Sequence, residues 1–262
     1  MRTTRIAILL SVAASAMACS EPHDNVWIDD GQTSGFAPVA DSGHQPDPDD
    51  EDDEVEPAEL GDDFDGDAIV DWQLFNNDMA GVVVEDGALH IDPIENTEWG
   101  RSETSVLVWK ELEGDFMATA SVRANGLEDP EAPPPPIFRF GGLLARDPDG
   151  ADENNLHIAL GTDDDPSVET KSTIDGDSTV KGPPWPSATG EVRICRLGSS
   201  FLMYVREEDG EWELADAFAR PDLPDVLAVG PMAYNDSPTA DLRVSFDYVH
   251  FATVESQEDC AR

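Results

Sequence analysis

From about residue 61 onward the periodic segments of this chain alternate apolar and polar residues with period two, and almost none carries the period of a helix. Phe116, Ala118, Ala120 and Val122 fall on one side of an extended segment, with Thr119, Ser121 and Arg123 on the other. Glu191–Arg196 behaves the same way, as does Asp241–Phe251. Such alternation marks half-buried strands. In the last segment His250 shares parity with Leu242, Val244, Phe246 and Tyr248, so it stands either past a bulge or at the margin of the core. Turn chemistry punctuates the runs: Glu85-Asp86-Gly87, Leu197-Gly198-Ser199-Ser200 and Glu208-Asp209-Gly210 each separate apolar stretches and read as hairpin connections. Pro130–Pro136 and Pro183–Pro186 interrupt the alternation and form loops. Many short strands joined by such turns predict an all-β, two-sheet antiparallel sandwich.

The stretch before residue 61 is of another kind. Arg2 and Arg5 precede an apolar run, Ile6–Ala14, and then the small residues Ser15–Ala18. The run is too short for the roughly 20 apolar residues of a membrane span, and its order is that of an export signal over residues 1–18. Ala16-Met17-Ala18-Cys19 resembles a bacterial lipobox, with Ala16 where leucine is usual. The resemblance implies lipidation of Cys19 and, with Ser20 next, an outer-membrane or cell-surface location; the alternative is ordinary cleavage and a soluble periplasmic or secreted protein. Three cysteines are present. With Cys19 acylated, Cys195 and Cys260 remain as a disulfide pair in an oxidising compartment. Closing that loop stabilises a fold by roughly 4 kcal/mol; the other reading is two unpaired thiols.

Residues 19–60 read as an acidic tether. Eighteen acids and no lysine or arginine lie between Glu21 and Asp67. With so little to bury, the segment cannot offset its ordering entropy, and like charges extend it. The folded part is then 61–262, one domain in size. It keeps a net charge of −26 over 68–262, within a whole-chain excess of 57 acids over 15 bases. That field disfavours nucleic acid and anionic lipid as partners, so contact with a membrane is expected only through the lipid anchor.

The order of motifs carries a resemblance. Asp62-Asp63-Phe64 and Trp72 come first, then Asp86–Ile91, Gly114-Asp115-Phe116 and Gly141–Arg146. Arg193–Tyr204, Asp209-Gly210-Glu211-Trp212, Val229-Gly230 and Phe246–Val249 follow. In this order they resemble the concanavalin A-like sandwich family, which includes the C-terminal domain of β-xylosidases and many uncharacterised extracellular proteins. The resemblance spans about 61–254. It implies a jelly roll of roughly a dozen strands with one concave sheet, a face that often binds carbohydrate in related sandwiches. It implies an accessory or binding module more than a stand-alone catalyst, although fold alone does not decide function.

Sugars present apolar C–H faces and polar edges, so their sites combine aromatic platforms with hydrogen-bonding side chains. Trp99 and Trp185 stand in loop contexts and are the foremost platforms, or else they plug loops; Trp109 alternates with Leu107 and is either platform or core. Arg101, Arg139, Arg146 and His157 are the polar candidates, Arg139 alternatively pairing with a surface acid. Trp72 and Trp212 read as structural. Asp63 and Asp247, brought together as in related sandwiches, would suit calcium, or each simply caps a turn. No other cofactor is expected. Asp92, Glu95, Glu98 and Glu103 gather near Trp99, so a carboxylate pair for glycoside hydrolysis or a lyase reaction is the alternative. The Glu-x-Asp-x-x-Glu pattern of some catalytic concanavalin A-like glycanases is absent, as are the Gly-x-Ser-x-Gly elbow, HExxH and phosphate-loop motifs. The sequence therefore points to a surface lipoprotein with a non-catalytic sandwich for carbohydrate. A structural envelope lipoprotein without a small ligand is a third reading.

Overall fold

The structure is a computed structural model and describes residues 57–100, 104–150 and 154–262. The export signal, Cys19, nearly all of the acidic tether and Arg101 lie outside the described residues. The described fold opens slightly earlier than the alternation suggests: Pro57–Leu60 form a single 3-10 turn, and Leu60 packs on the core.

In chain order the strands are β1 (Gln73–Phe75), β2 (Ala80–Glu85), β3 (Ala88–Pro93), β4 (Val106–Glu113) and β5 (Phe116–Gly126). Next come β6 (Arg139–Arg146), β7 (Asn155–Thr162), β8 (Pro166–Ile174), β9 (Asp177–Lys181) and β10 (Thr189–Leu197). The last are β11 (Ser200–Arg206), β12 (Glu213–Ala219), β13 (Val226–Asn235), β14 (Leu242–Phe246) and β15 (Val249–Thr253). They form two antiparallel sheets. The seven-stranded sheet runs β1-β4-β13-β6-β7-β8-β9 and the eight-stranded one β12-β11-β10-β5-β14-β3-β2, with β15 also on β5. The molecule is therefore an all-β sandwich.

The alternation converts directly into the core. Phe116, Ala118, Ala120 and Val122 face inward from β5 and meet Leu143, Ala145, Leu156, Ile158, Leu227 and Val229 of the other sheet in one cluster. Asp86 and Gly87 both take positive φ, 53° and 75°, closing the β2–β3 hairpin with Glu85 opposite Ala88. Two left-handed residues in succession are what a two-residue hairpin with the native twist needs.

His250 follows a bulge. Ser245 of β14 faces Arg123, but Val249 of β15 faces Ala120, so one extra residue is taken up between them. The slip exchanges the two faces of the strand. Leu242, Val244 and Phe246 point inward before it, Val249 and Phe251 after it. His250 is left outside, stacked on Tyr248 at 4.4 Å.

Cys195 and Cys260 form a disulfide that ties a short C-terminal helix (Gln257–Cys260) to β10. Arg193, one turn of the pleat away, donates to the Cys260 carbonyl at 2.7 Å and stacks its guanidinium 3.9 Å from the Trp212 ring. Trp72 is buried against Phe64 and Phe251 and donates from Nε1 to Asp62 Oδ2 at 3.0 Å. Both tryptophans are thus part of the framework.

Candidate functional site

The outward face of the seven-stranded sheet carries a second apolar cluster. Trp99, Leu107, Phe140, Leu144, Ala159, Ala228, Met232 and Tyr234 make it up, with Phe75 and Trp109 packed at its border. Cross-strand register organises the polar groups among them. Leu144 of β6 faces His157 of β7, which faces Lys171 of β8; one step along the same face, Arg146 faces Asn155, which faces Thr173. On the other side of His157, Gly142 faces Ala159 and Ala159 faces Glu169. This small-residue patch lets Tyr234 reach across from β13 to the Glu169 carboxylate at 2.8 Å. Glycine is required there, since a Cβ on Gly142 would stand 2.0 Å from the Ile158 carbonyl oxygen.

Glu169 is the acceptor at the centre. It also takes a 2.8 Å hydrogen bond from His157 Nε2, and all three side chains are buried. Burial pushes the Glu169 carboxyl up, but the hydrogen bonds from His157 and Tyr234 prevail and hold it below the usual range. Burial lowers His157, outweighing its carboxylate partner, and raises Tyr234 well above an ordinary phenol. Near neutral pH the trio is therefore a carboxylate accepting hydrogen bonds from a neutral imidazole and a phenol. Around it Lys171 Nζ donates to the Trp99 carbonyl, Trp99 stacks on Phe75 at 5.8 Å, and the Arg146 guanidinium lies 4.4 Å from the Phe75 ring centre.

Four of the sequence candidates thus converge: Trp99, Trp109, Arg146 and His157 share this face. Trp99 corrects its expectation as an exposed loop platform, because it is fully buried. Its reason to be buried is the outward cluster, assembled from strands distant in sequence. Two candidates stand elsewhere. Arg139 lies at the end of β6, where it pairs with Asp241 and donates to Pro135 O at 2.9 Å and Ser237 Oγ at 2.7 Å. It clamps the Pro-rich loop to the segment after β13 and lines no groove on this face. Trp185 packs against the inner core, its backbone N–H donating to Pro166 O at 2.9 Å. Asp63 and Asp247 have separate partners: Asp63 accepts from His250 at 2.7 Å, and Asp247 from Ser121 at 3.1 Å. Among the described residues no group of three or more His, Cys, Asp or Glu side chains could hold a metal ion. Of the acids near Trp99 in sequence, Asp92 belongs to the other sheet, where Arg243 grips it at 2.6 Å and 2.8 Å, and Glu103 is outside the described residues.

Asn155, Glu169, Lys171 and Tyr234 were not singled out by the sequence. The one trace they leave is parity: Asn155 with His157, and Glu169 with Lys171.

A different surface is open. On the outward face of the eight-stranded sheet a cavity of about 540 Å³ is lined by His90, Arg123, Asn125, Glu131, Arg243 and Ser245. Smaller hollows adjoin it, one bordered by Tyr248 and one by Pro133 and Pro186. The two Pro-rich loops therefore wall these hollows and do not fill them.

The sequence matches no protein-family model and no curated protein. Solved structures do match. A functionally unknown protein from Saccharomyces cerevisiae aligns with a TM-score of 0.59 at 17% identity, over 71% of this chain and 97% of that one. The GH43 protein BlXynB of Bacillus licheniformis aligns with a TM-score of 0.60 at 14% identity, over 74% of this chain. The xylan β-1,4-xylosidase of Bacillus halodurans gives 0.57 at 15% identity, over 76%. The fold is shared with these two Bacillus proteins. This chain spans only 39% and 40% of their lengths, so what it has in common with them is a sandwich and not a whole enzyme. That agrees with the resemblance to the β-xylosidase C-terminal domain.

Proposed function

We propose that the protein is an exported carbohydrate-binding sandwich without catalytic activity, held at the cell surface through Cys19. One observation carries the binding reading. Aromatic rings and buried hydrogen-bonding side chains from β1, β4, β6, β7, β8 and the loop bearing Trp99 converge on one sheet face. A sugar needs that combination, flat apolar surface beside fixed polar groups. The structural kinship with xylan-degrading enzymes supports the ligand class. The export signal and lipobox resemblance support the location.

The hydrolase reading is less well supported. Glycoside hydrolysis uses two carboxyl groups about 5–9.5 Å apart, one of them free to shuttle a proton. Among the described residues of this face the buried carboxylate is Glu169, and His157 and Tyr234 already occupy it as donors.

The test is a glycan-array screen of the purified full-length protein, followed by calorimetric titration with xylo-oligosaccharides. Trp109→Ala, at the border of the seven-stranded face, is expected to weaken binding about tenfold or more, a loss of about 1.4 kcal/mol. Arg123→Ala, in the open cavity of the other sheet, is expected to leave it unchanged. The reverse pattern would move the site to the eight-stranded sheet. A folded protein that binds no glycan would remove the carbohydrate reading.

A further inference from the structure

The seven-stranded sheet ends on β9, and among the described residues no strand pairs with the outer edge of β9. All of its residues, Asp177–Lys181, are exposed. The turn before it decides which backbone groups that edge offers. Asp175 and Gly176 both take positive φ, 50° and 79°, and join Ile174 to Asp177 as a two-residue hairpin loop. In such a hairpin the flanking residues form a hydrogen-bonded pair, and such pairs then alternate along the ladder. Asp177, Thr179 and Lys181 therefore turn their N–H and C=O groups toward β8, while Ser178 and Val180 turn theirs outward.

An open edge of this kind invites a further strand, and folds commonly blunt it. The other edges of the sandwich are short, broken or of one sign. β1 has three residues, β12 is interrupted by a bulge and carries only the acids Glu213 and Asp216, and β2 carries the single charge of Glu85. β9 is unbroken, with an acid at one end and a base at the other. It is therefore complementary to itself. Two copies running antiparallel about a twofold axis at Thr179 put Asp177 opposite Lys181 of the partner subunit, and Lys181 opposite the partner's Asp177. Ser178 then exchanges both backbone hydrogen bonds with the partner's Val180, and Val180 with the partner's Ser178. The charged pairs occupy the closely spaced positions, where Cα atoms stand about 4.5 Å apart. A slip that keeps the faces matched moves the partner by two residues and sets Asp177 against a threonine or a proline. Beyond Lys181, Pro183 and Pro184 have no N–H and close the edge.

Lys181 has a second claim on it. Its Nζ lies 2.6 Å from Asp216, which also accepts from Thr170 Oγ1 and the Ala217 N–H. An ammonium has three donors, and the Lys181 side chain is 57% exposed, so it can serve both carboxylates.

We propose that β9 is a self-association edge, through which two copies of this chain join their seven-stranded sheets into one continuous sheet. The twofold axis stands perpendicular to the sheet, so both outward faces look the same way and lie side by side. That arrangement is bivalent for any polymer the faces bind, and the interface itself does not depend on what that ligand is. A pairing this short is small against the roughly 1,200 Å² of a stable complex. The dimer is therefore weak and reversible, and forms where copies are concentrated.

Sedimentation equilibrium of the full-length protein, from micromolar to millimolar concentration, tests this. It is run in about 0.15 M salt, where a Debye length near 8 Å screens the general repulsion between two acidic chains more than it screens charges in contact. The mass is expected to rise toward twice that of the monomer, and hydrogen exchange at the Ser178 and Val180 amides to slow severalfold over the same range. Val180→Pro removes an outward N–H and leaves the β8 ladder intact; Asp177→Lys sets like charges opposite each other. Each is expected to weaken dimerisation at least about tenfold. Mixing Asp177→Lys with Lys181→Glu puts opposite signs back across the edge, and should recover association that neither variant shows alone. A protein that stays monomeric at millimolar concentration overturns the proposal. So does a dimer that survives both Val180→Pro and Asp177→Lys, each checked for native circular dichroism, because its interface then lies elsewhere.

Discussion

His157 and Glu169 meet across neighbouring strands at 2.8 Å, both buried, with the Tyr234 hydroxyl on the same carboxylate oxygen. The groups facing His157 are Glu169 and Lys171 from β8 and Tyr234 from β13. Glu169 is held below its ordinary 4.5 and His157 below its ordinary 6.5. In both cases the unfolded chain takes up a proton before the folded one does. Stability from the pair is therefore complete above 6.5 and is lost as pH falls, first through the imidazole range and then through the folded pKa of Glu169.

Relief of the chain's large negative charge works in the opposite direction, so the pair is best read by difference. Glu169→Gln is expected to cost about 1.5–3 kcal/mol near neutrality, the range for hydrogen bonds to a charged group. The gap to the parent protein should close as pH falls below 4.5. Urea denaturation of both proteins across that range measures it. A gap that does not change with pH would show that Glu169 is not ionised in the fold.

The disulfide gives a second expectation. Cys195 and Cys260 are both fully buried, and the bridge anchors the end of the chain that Arg193 also grips. Cys195→Ser with Cys260→Ser should lower stability by about 2–5 kcal/mol. A mild reductant should act only as fast as the C-terminal segment opens. Denaturant titration of the double variant and thiol labelling during reduction check the two statements separately.

The inner core was legible in the sequence because strands write it as parity. Even the ambiguity at His250 contained its answer, since an apolar parity that fails after Phe246 is what a bulge produces. The outward face was much less legible. Trp99 sits among Asn96, Thr97 and Glu98, and its burial depends on Leu107, Phe140, Leu144 and Met232, brought together only when β4, β13 and β6 pair. On β8 neither parity is consistently apolar: Val168 is followed by Thr170 and Ser172 on one side, and Ser167, Glu169 and Lys171 lie on the other. Such a strand reads as solvent-facing, and nothing local marks Glu169 as buried. Arg139 misled for a related reason. A cation between apolar neighbours suits a groove, but here it satisfies carbonyls that a proline-rich loop cannot pair within itself.

That role of Arg139 is testable. Its guanidinium binds the Asp241 carboxylate, two loop hydroxyls and the carbonyls of Pro135 and Pro136. Arg139→Met is expected to cost about 3 kcal/mol, the lower end for breaking a buried ion pair, because Asp241 is partly exposed and regains water. The loop around Pro130–Pro136 should become the first site of limited proteolysis. Unchanged cleavage kinetics would show that the loop is held by other contacts.

Trp99 and Trp109 separate packing from recognition. Trp99 is fully enclosed, stacked on Phe75 and fastened through its carbonyl by Lys171, so Trp99→Ala removes a large buried ring and leaves a cavity. The expected loss is about 3–5 kcal/mol, enough to threaten folding and to abolish binding for a trivial reason. Trp109 is only half-buried at the cluster's border. Trp109→Ala should cost about 1 kcal/mol of stability, near the average for a single substitution, while still removing the exposed ring. Thermal unfolding of both variants beside saccharide titration distinguishes the two roles. If Trp109→Ala unfolds the domain as severely as Trp99→Ala, both rings are core, and the aromatic surface available to a sugar must be sought on the eight-stranded sheet.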